Sequence, residues 1–173
     1  MVKIEDLTVE TLDRFFSLFE RVVNEDFPEY SDKVKKFFLT KDYSKETFRN
    51  FLGRPFRKVS IAVEDELEGV SGSVVGYLVG DHTYGGVGFV SFFGVEKSRR
   101  RNGIGTELIK AYEDFSKSKK AHMVKLYTFN RIMPFYEKLG YEHIGEEKTG
   151  YWGTRNQVMG KMIGEWDETT LEL

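Results

Sequence analysis

The chain has 173 residues, 40% of them hydrophobic, 15% aromatic and 31% charged, with a formal net charge of −2. Such a length and apolar content fit one packed domain over residues 1–173 and exclude a disordered chain. The near-neutral balance argues against a protein devoted to nucleic acid, no apolar run approaches the ~18–20 residues of a membrane-spanning helix, and the lack of cysteine excludes a disulfide framework and a thiol nucleophile.

Lys3 to Leu7 reads as a short first strand. Leu12, Phe15, Phe16, Phe19, Val22 and Val23 then recur at helical spacing, with Thr8 placed to cap the helix. Asn24 to Asp32 carries four carboxylates and Pro28 and reads as an acidic loop. Val34–Leu39 and Ser44–Leu52 predict two short helices, the second opened by Ser44 with Glu46 in its first turn. Lys58–Glu64 predicts a strand and Asp65–Gly72 its turn; Val74–Tyr84 and Val87–Val95 predict a hairpin about Gly85-Gly86. After a basic, glycine-bearing stretch, Leu108, Ile109, Tyr112 and Phe115 mark one side of a helix that ends in Lys117, Lys119 and Lys120. Met123–Thr128 predicts a buried strand and Met133–Leu139 a helix, with Pro134 in its first turn and Gly140 as its stop. Glu142–Thr149 and Gln157–Ile163 predict the last strands, and Glu165–Leu173 a polar tail. The order predicts a mixed α/β (α+β) domain: a mostly antiparallel central sheet flanked by helices, with one parallel crossover through the helix after Gly105.

The basic stretch, Val95-Glu-Lys-Ser-Arg-Arg-Arg-Asn-Gly-Ile-Gly-Thr106, stands between a strand and a helix. A helix N-terminus leaves about four N–H groups unpaired and carries partial positive charge. Gly103 and Gly105 let an anion approach the bare backbone, and Arg99, Arg100 and Arg101 add cationic forks, so the stretch suits a diphosphate. It is not a Walker loop, since no Gly-Lys-Ser/Thr occurs, nor a dinucleotide fingerprint, since Leu108 holds the place of the third glycine.

Two motifs together carry a family resemblance. Arg100-x-x-Gly103-x-Gly105 and, about thirty residues on, Phe135-Tyr136-Glu137-Lys138-Leu139-Gly140-Tyr141 resemble the signatures of the GNAT (GCN5-related N-acetyltransferase) superfamily. The resemblance is closest over Val74 to Tyr141. It implies acetyl-CoA as cofactor, with Arg100, Arg101, Asn102, Gly103, Ile104, Gly105 and Thr106 at the pyrophosphate. It also implies a splay between the strands Val87–Val95 and Met123–Thr128, with the pantetheine arm along Phe93, Gly94 and Val95. Asn130 is a further candidate for that arm, although it precedes Tyr136 by six positions where family members often have seven. Lys97, Arg99, Lys119 and Lys120 are candidates for the ribose phosphate. The implied reaction is direct attack of a neutral amine on the thioester, with Tyr136 as the acid that protonates the leaving sulfur.

The proton acceptor is open. Val87–Val95 contains no carboxylate, which leaves a water chain, Asp81, His82 or Glu25. The three histidines are scattered, so no metal site is predicted. By resemblance the acceptor enters between Asn24–Asp32 and Tyr151–Asn156. Glu25, Asp26, Tyr30, His82, Tyr151 and Trp152 then make a carboxylate and aromatic site suited to a cationic small-molecule or peptide amine. The partners expected are thus an amine acceptor and neither nucleic acid nor membrane; a homodimer is compatible with the sequence. A cytoplasmic setting is expected from the acidic N-terminal stretch and the need for acetyl-CoA. The competing expectation is a non-catalytic CoA or acetyl-CoA sensor of the same fold.

Overall fold

A computed structural model describes residues 1–64 and 72–168. The elements in chain order are β1 (Val2–Asp6), α1 (Leu12–Asp26), α2 (Asp32–Phe37), α3 (Lys45–Phe51), β2 (Arg57–Glu64), β3 (Ser73–Thr83), β4 (Val87–Val95), α4 (Ile104–Ser118), β5 (Met123–Thr128), α5 (Met133–Lys138), β6 (Glu142–Glu147) and β7 (Asn156–Met162). The strands form one sheet in the order β1-β2-β3-β4-β5-β7-β6. All neighbours are antiparallel except β4 and β5, which α4 joins as a parallel crossover. The mixed α/β architecture and its parallel pair are as the sequence predicts.

Two cores sandwich the sheet. On one face α1 buries Leu12, Phe15, Leu18, Phe19, Val22 and Val23 against Ile61, Tyr77, Val79 and Phe92, with Phe38 and Phe48 closing the layer. Phe19 alone meets Phe48, Tyr77 and Phe92 edge-on at centroid distances of 5.0–5.4 Å. On the other face α4 buries Ile104, Leu108, Ile109 and Tyr112 against Leu78, Val90, Val124 and Leu126. Gly80 admits the Tyr112 ring, which a Cβ there would strike.

The β4 ladder carries one irregularity. Val79 pairs with Phe92 but Gly80 with Val90, so Ser91 is an extra residue in the ladder. The insertion reverses the alternation: Val90 belongs to the α4 core, Phe92 to the α1 core and Phe93 to the α4 side again.

The predicted element types hold, and several ends move. The first helix starts at Leu12, three residues later than a Thr8 cap would place it; Thr11 holds the N-cap position without a side-chain capping bond, its Oγ1 accepting from the Thr8 N–H at 3.0 Å. The helix continues to Asp26, so part of the expected acidic loop is helical. The second short helix runs on into a π-type turn over Phe38–Asp42. Ser44 caps α3 as predicted, accepting from the Thr47 N–H at 3.2 Å. Residues 65–71 of the expected turn and 169–173 of the expected tail lie outside the described residues. Nearer its start that tail packs back, with Trp166 edge-on to His122.

Candidate active site

The parallel ladder between β4 and β5 runs only from Val87↔Met123 to Val90↔Leu126. Beyond it β4 stays on β3 as far as Val95, and β5 stays on β7 as far as Thr128. Each strand is thus held on its outer side and has no ladder on its inner side. A cavity of about 80 Å³ occupies the gap, lined by Ser91, Phe92, Phe93, Tyr127, Thr128, Phe129, Phe27, Tyr30, Tyr136 and Asn156. It meets a larger cavity of about 660 Å³ at Phe27, Phe93 and Ile132. That volume lies within the usual range for small-molecule sites.

Nine of the residues expected at the cofactor line the larger cavity: Phe93, Gly94, Val95, Arg100, Arg101, Gly103, Ile104, Gly105 and Thr106. The loop owes its shape to left-handed backbone at Arg101 (φ 66°) and Gly103 (φ 80°), which turns the chain sharply into α4. No side chain caps α4 at Gly103, so its first N–H groups are left for an anion, as a diphosphate requires. Gly105 sits against the stacked rings of Phe93 and Phe135, and a Cβ there would lie 2.9 Å from Phe93 Cζ. Asn102 faces the recess beside β1 instead, with Val2, Ile4 and Glu64. Asn130 is exposed and lines neither cavity.

The arginines divide their work. Arg99 places Nε and Nη2 on Glu64 Oε2 at 3.1 and 2.8 Å. Arg100 donates through Nε to the Val95 carbonyl at 3.0 Å and through Nη2 to Asp26. It therefore staples β4 to the end of α1. Arg101 has no ion pair among the described residues. Lys119 and Lys120, expected near the ribose phosphate, stand at the other end of α4, roughly 20 Å away at 1.5 Å per residue, and cannot serve it. Sequence reasoning passed over Arg131, which lines the larger cavity with the loop and grips Glu29. It also passed over Phe27, Ser91, Tyr127 and Asn156. Only the adjacency of Arg131 to Asn130 could have pointed to it; the others come together through the fold alone.

Tyr136, on α5, faces the gap and is 5% exposed, with its ring 6.3 Å from Phe93 and 5.7 Å from Tyr141. Burial alone pushes its hydroxyl well above the ordinary phenol range, so it keeps its proton through the physiological range. Asp26 lines the larger cavity and Tyr30 the smaller. Burial, with the Glu29 and Tyr43 charges, pushes the Tyr30 hydroxyl up to about 12. Tyr151 packs on Tyr127 at 5.2 Å, and Trp152 on Phe37 and Phe38 at 5.4 and 5.0 Å. Glu25 is exposed and lines neither cavity. His82 lies opposite Gly88, at the far end of β4 from the gap. It stacks on Phe56, and burial together with the Lys119 charge lowers its pKa. The structure thus places neither Glu25 nor His82 with Tyr136. Asp81 pairs with Arg57 at 2.5 Å and accepts from Ser91 Oγ at 3.1 Å, which ties it to the edge of the gap.

A sheet parted at one parallel pair, with a glycine loop at the mouth of the parting, defines the fold of CoA-dependent acetyltransferases. The chain belongs to that group: the sequence model described as "Acetyltransferase (GNAT) family" matches residues 19–141. It is accordingly an N-acetyltransferase with acetyl-CoA as donor. Similar solved structures include the PaiA N-acetyltransferase of Thermoplasma acidophilum in complex with coenzyme A, at 18% identity and TM-score 0.77, covering 94% of this chain and 99% of that one. An aminoglycoside 6'-N-acetyltransferase complexed with coenzyme A gives 21% identity and 0.72, covering 96% and 99%. The ribosomal-protein-S18-alanine N-acetyltransferase of Escherichia coli gives 15% and 0.68, covering 97% of each. At these identities the likeness speaks for the fold alone. No curated protein sequence matches the chain.

Proposed function

We propose that this acetyltransferase acts on a primary amine carried by a cationic small molecule or peptide, by direct attack with Tyr136 as general acid. Acetyl-CoA supplies the activated acetyl group, and the glycine loop from Arg100 to Thr106 is fitted to its pyrophosphate. One observation carries the reading: a buried, protonated phenol lies in the gap between β4 and β5, next to the cavity of that loop. As the amine nitrogen bonds to the carbonyl carbon, the C–S bond breaks and the Tyr136 O–H gives its proton to the sulfur. The nitrogen sheds its extra proton to solvent, or to Asp81 through Ser91. The phenol then regains a proton from water.

The preference for a cation rests on the walls. Tyr30, Tyr127 and Phe129 line the gap, Tyr127 Oη donates to Glu147 at 3.1 Å, Glu29 bears on Tyr30 while paired with Arg131, and Asp26 lines the adjoining cavity while paired with Arg100. Aromatic faces backed by carboxylates attract ammonium groups. Tyr151 and Trp152 extend that aromatic wall. A cytoplasmic setting, where acetyl-CoA is at hand, and a homodimer are compatible with this reading.

Two measurements test it. Tyr136→Phe should lower kcat about a hundredfold while leaving CoA affinity unchanged, the usual scale for loss of a general acid; an unchanged kcat rejects the acid role. In an acceptor screen, polyamines, amino sugars and lysine-bearing peptides should be acetylated ahead of anionic amino acids. The reverse order rejects the cationic site.

A further inference from the structure

The β5–α5 connection brings Arg131 to the larger cavity, which it lines together with the glycine loop. Its fork is engaged elsewhere: Nε and Nη2 donate to the two oxygens of Glu29 at 2.8 and 3.0 Å, and Nη2 also to the Asp26 carbonyl at 2.6 Å. Both acceptors belong to the segment that leaves α1. That segment supplies Phe27, the wall common to both cavities, and Tyr30, a wall of the smaller one.

We propose that Arg131 is a ligand of the donor's phosphate groups, kept in reserve by Glu29, so that donor binding loosens the wall of the acceptor cavity. The inference rests on the assignment of acetyl-CoA as donor. Three observations carry it. Arg131 and the loop residues Arg101, Gly103 and Thr106 line one cavity, so a phosphate chain held by the loop lies within the fork's compass. The bidentate pair with Glu29 is reachable from solvent, the Arg131 and Glu29 side chains being 45% and 25% exposed, so an incoming phosphate can compete for the fork. A guanidinium fork fits a phosphate as well as a carboxylate, and the donor brings a diphosphate and a phosphomonoester against one carboxylate. Once Arg131 turns to phosphate, Glu29 is freed beside Tyr30, at the rim where an ammonium group would enter. Donor would then precede acceptor.

Binding of CoA and of pantetheine, which lacks every phosphate, separates this from a structural role. Glu29→Gln should tighten CoA several-fold, because the fork no longer has to be drawn off a carboxylate. Arg131→Gln should weaken CoA about tenfold, the scale of one charge-assisted contact. Pantetheine should be unaffected by either change. In the double variant the gain from Glu29→Gln should vanish. CoA should also speed amide exchange over residues 27–31 in the unaltered protein and not in Arg131→Gln. A Glu29→Gln variant with unchanged or weaker CoA binding overturns the proposal, as does equal loss of pantetheine. If the unaltered protein binds no CoA at all, the donor assignment falls and the proposal with it.

Discussion

In the proposed acid role, the surroundings of Tyr136 set the pH profile to expect. Its hydroxyl is held above the ordinary phenol value by burial alone, with no neighbouring charge to pull it back. The phenol therefore stays protonated over the whole range in which an acceptor amine loses its proton. The rate should climb with pH as the free amine accumulates, then level off, with no falling limb below about pH 10, the value for an unperturbed phenol. A kcat/KM profile for a good acceptor tests this; a descent near neutrality would assign the proton to another group. Tyr136 was legible in the sequence because it sits inside a dense local motif. The engagement of Arg99 and Arg100 was not. Glu64 and Asp26, which hold them, lie 35 and 74 residues away in the chain, and no local pattern reports such pairs.

At the scale of elements, α4 and β7 are joined by a pair that no periodicity reveals. Glu113, 7% exposed on the inner side of α4, accepts twice from Lys161 Nζ of β7 at 2.9 and 3.0 Å. Lys161 also covers the Tyr141 ring at 5.6 Å. Lys161→Ala would leave a buried carboxylate without its cation and should cost about 2–3 kcal/mol, less than the full penalty for a buried pair because Lys161 keeps some solvent contact. Urea unfolding should show a lower midpoint with an unchanged slope. From sequence, Glu113 reads as one more charge on a helix. The strongly periodic stretches, Leu12–Val23 and Leu108–Phe115, were legible, as was the strand Met123–Thr128. The end of α1 was not: Asn24, Glu25 and Asp26 are loop-like in composition, yet they continue a helix whose apolar face is already anchored to the sheet. The smaller cavity was the least legible, since Phe27, Tyr127 and Asn156 come from three distant parts of the chain.

Over the whole molecule, tyrosine links stability to alkali. Burial is the leading cause that raises Tyr30, Tyr43, Tyr77, Tyr112, Tyr127, Tyr136 and Tyr141. Below pH ~10 folded and unfolded chains both hold these protons, so the contribution is fully present. Above it the unfolded chain sheds them while the folded one cannot, and stability falls by up to about 1.4 kcal/mol per pH unit for each group until its folded pKa is passed. In a variant carrying Tyr84→Phe and Tyr151→Phe, which removes the exposed phenols, phenolate absorbance should therefore appear together with loss of ellipticity, in one cooperative step above pH 10; a gradual rise with the fold intact would contradict this. The inserted Ser91 links the two halves in another way. Upstream of it the even-numbered residues of β4 look toward α4, and downstream the odd-numbered ones do. Spelling at that position is thus nearly free, whereas letter count is not. Ser91→Ala should keep the melting temperature within a few degrees. Deleting the residue would let Phe92 follow Val90 directly in the ladder, keeping Phe92 on the α1 side and Phe93 on the α4 side, but it would remove the bend where β4 parts from β5, so CoA affinity should fall while the fold persists. A length scan of β4, rather than a substitution scan, is the experiment to which this strand is most sensitive.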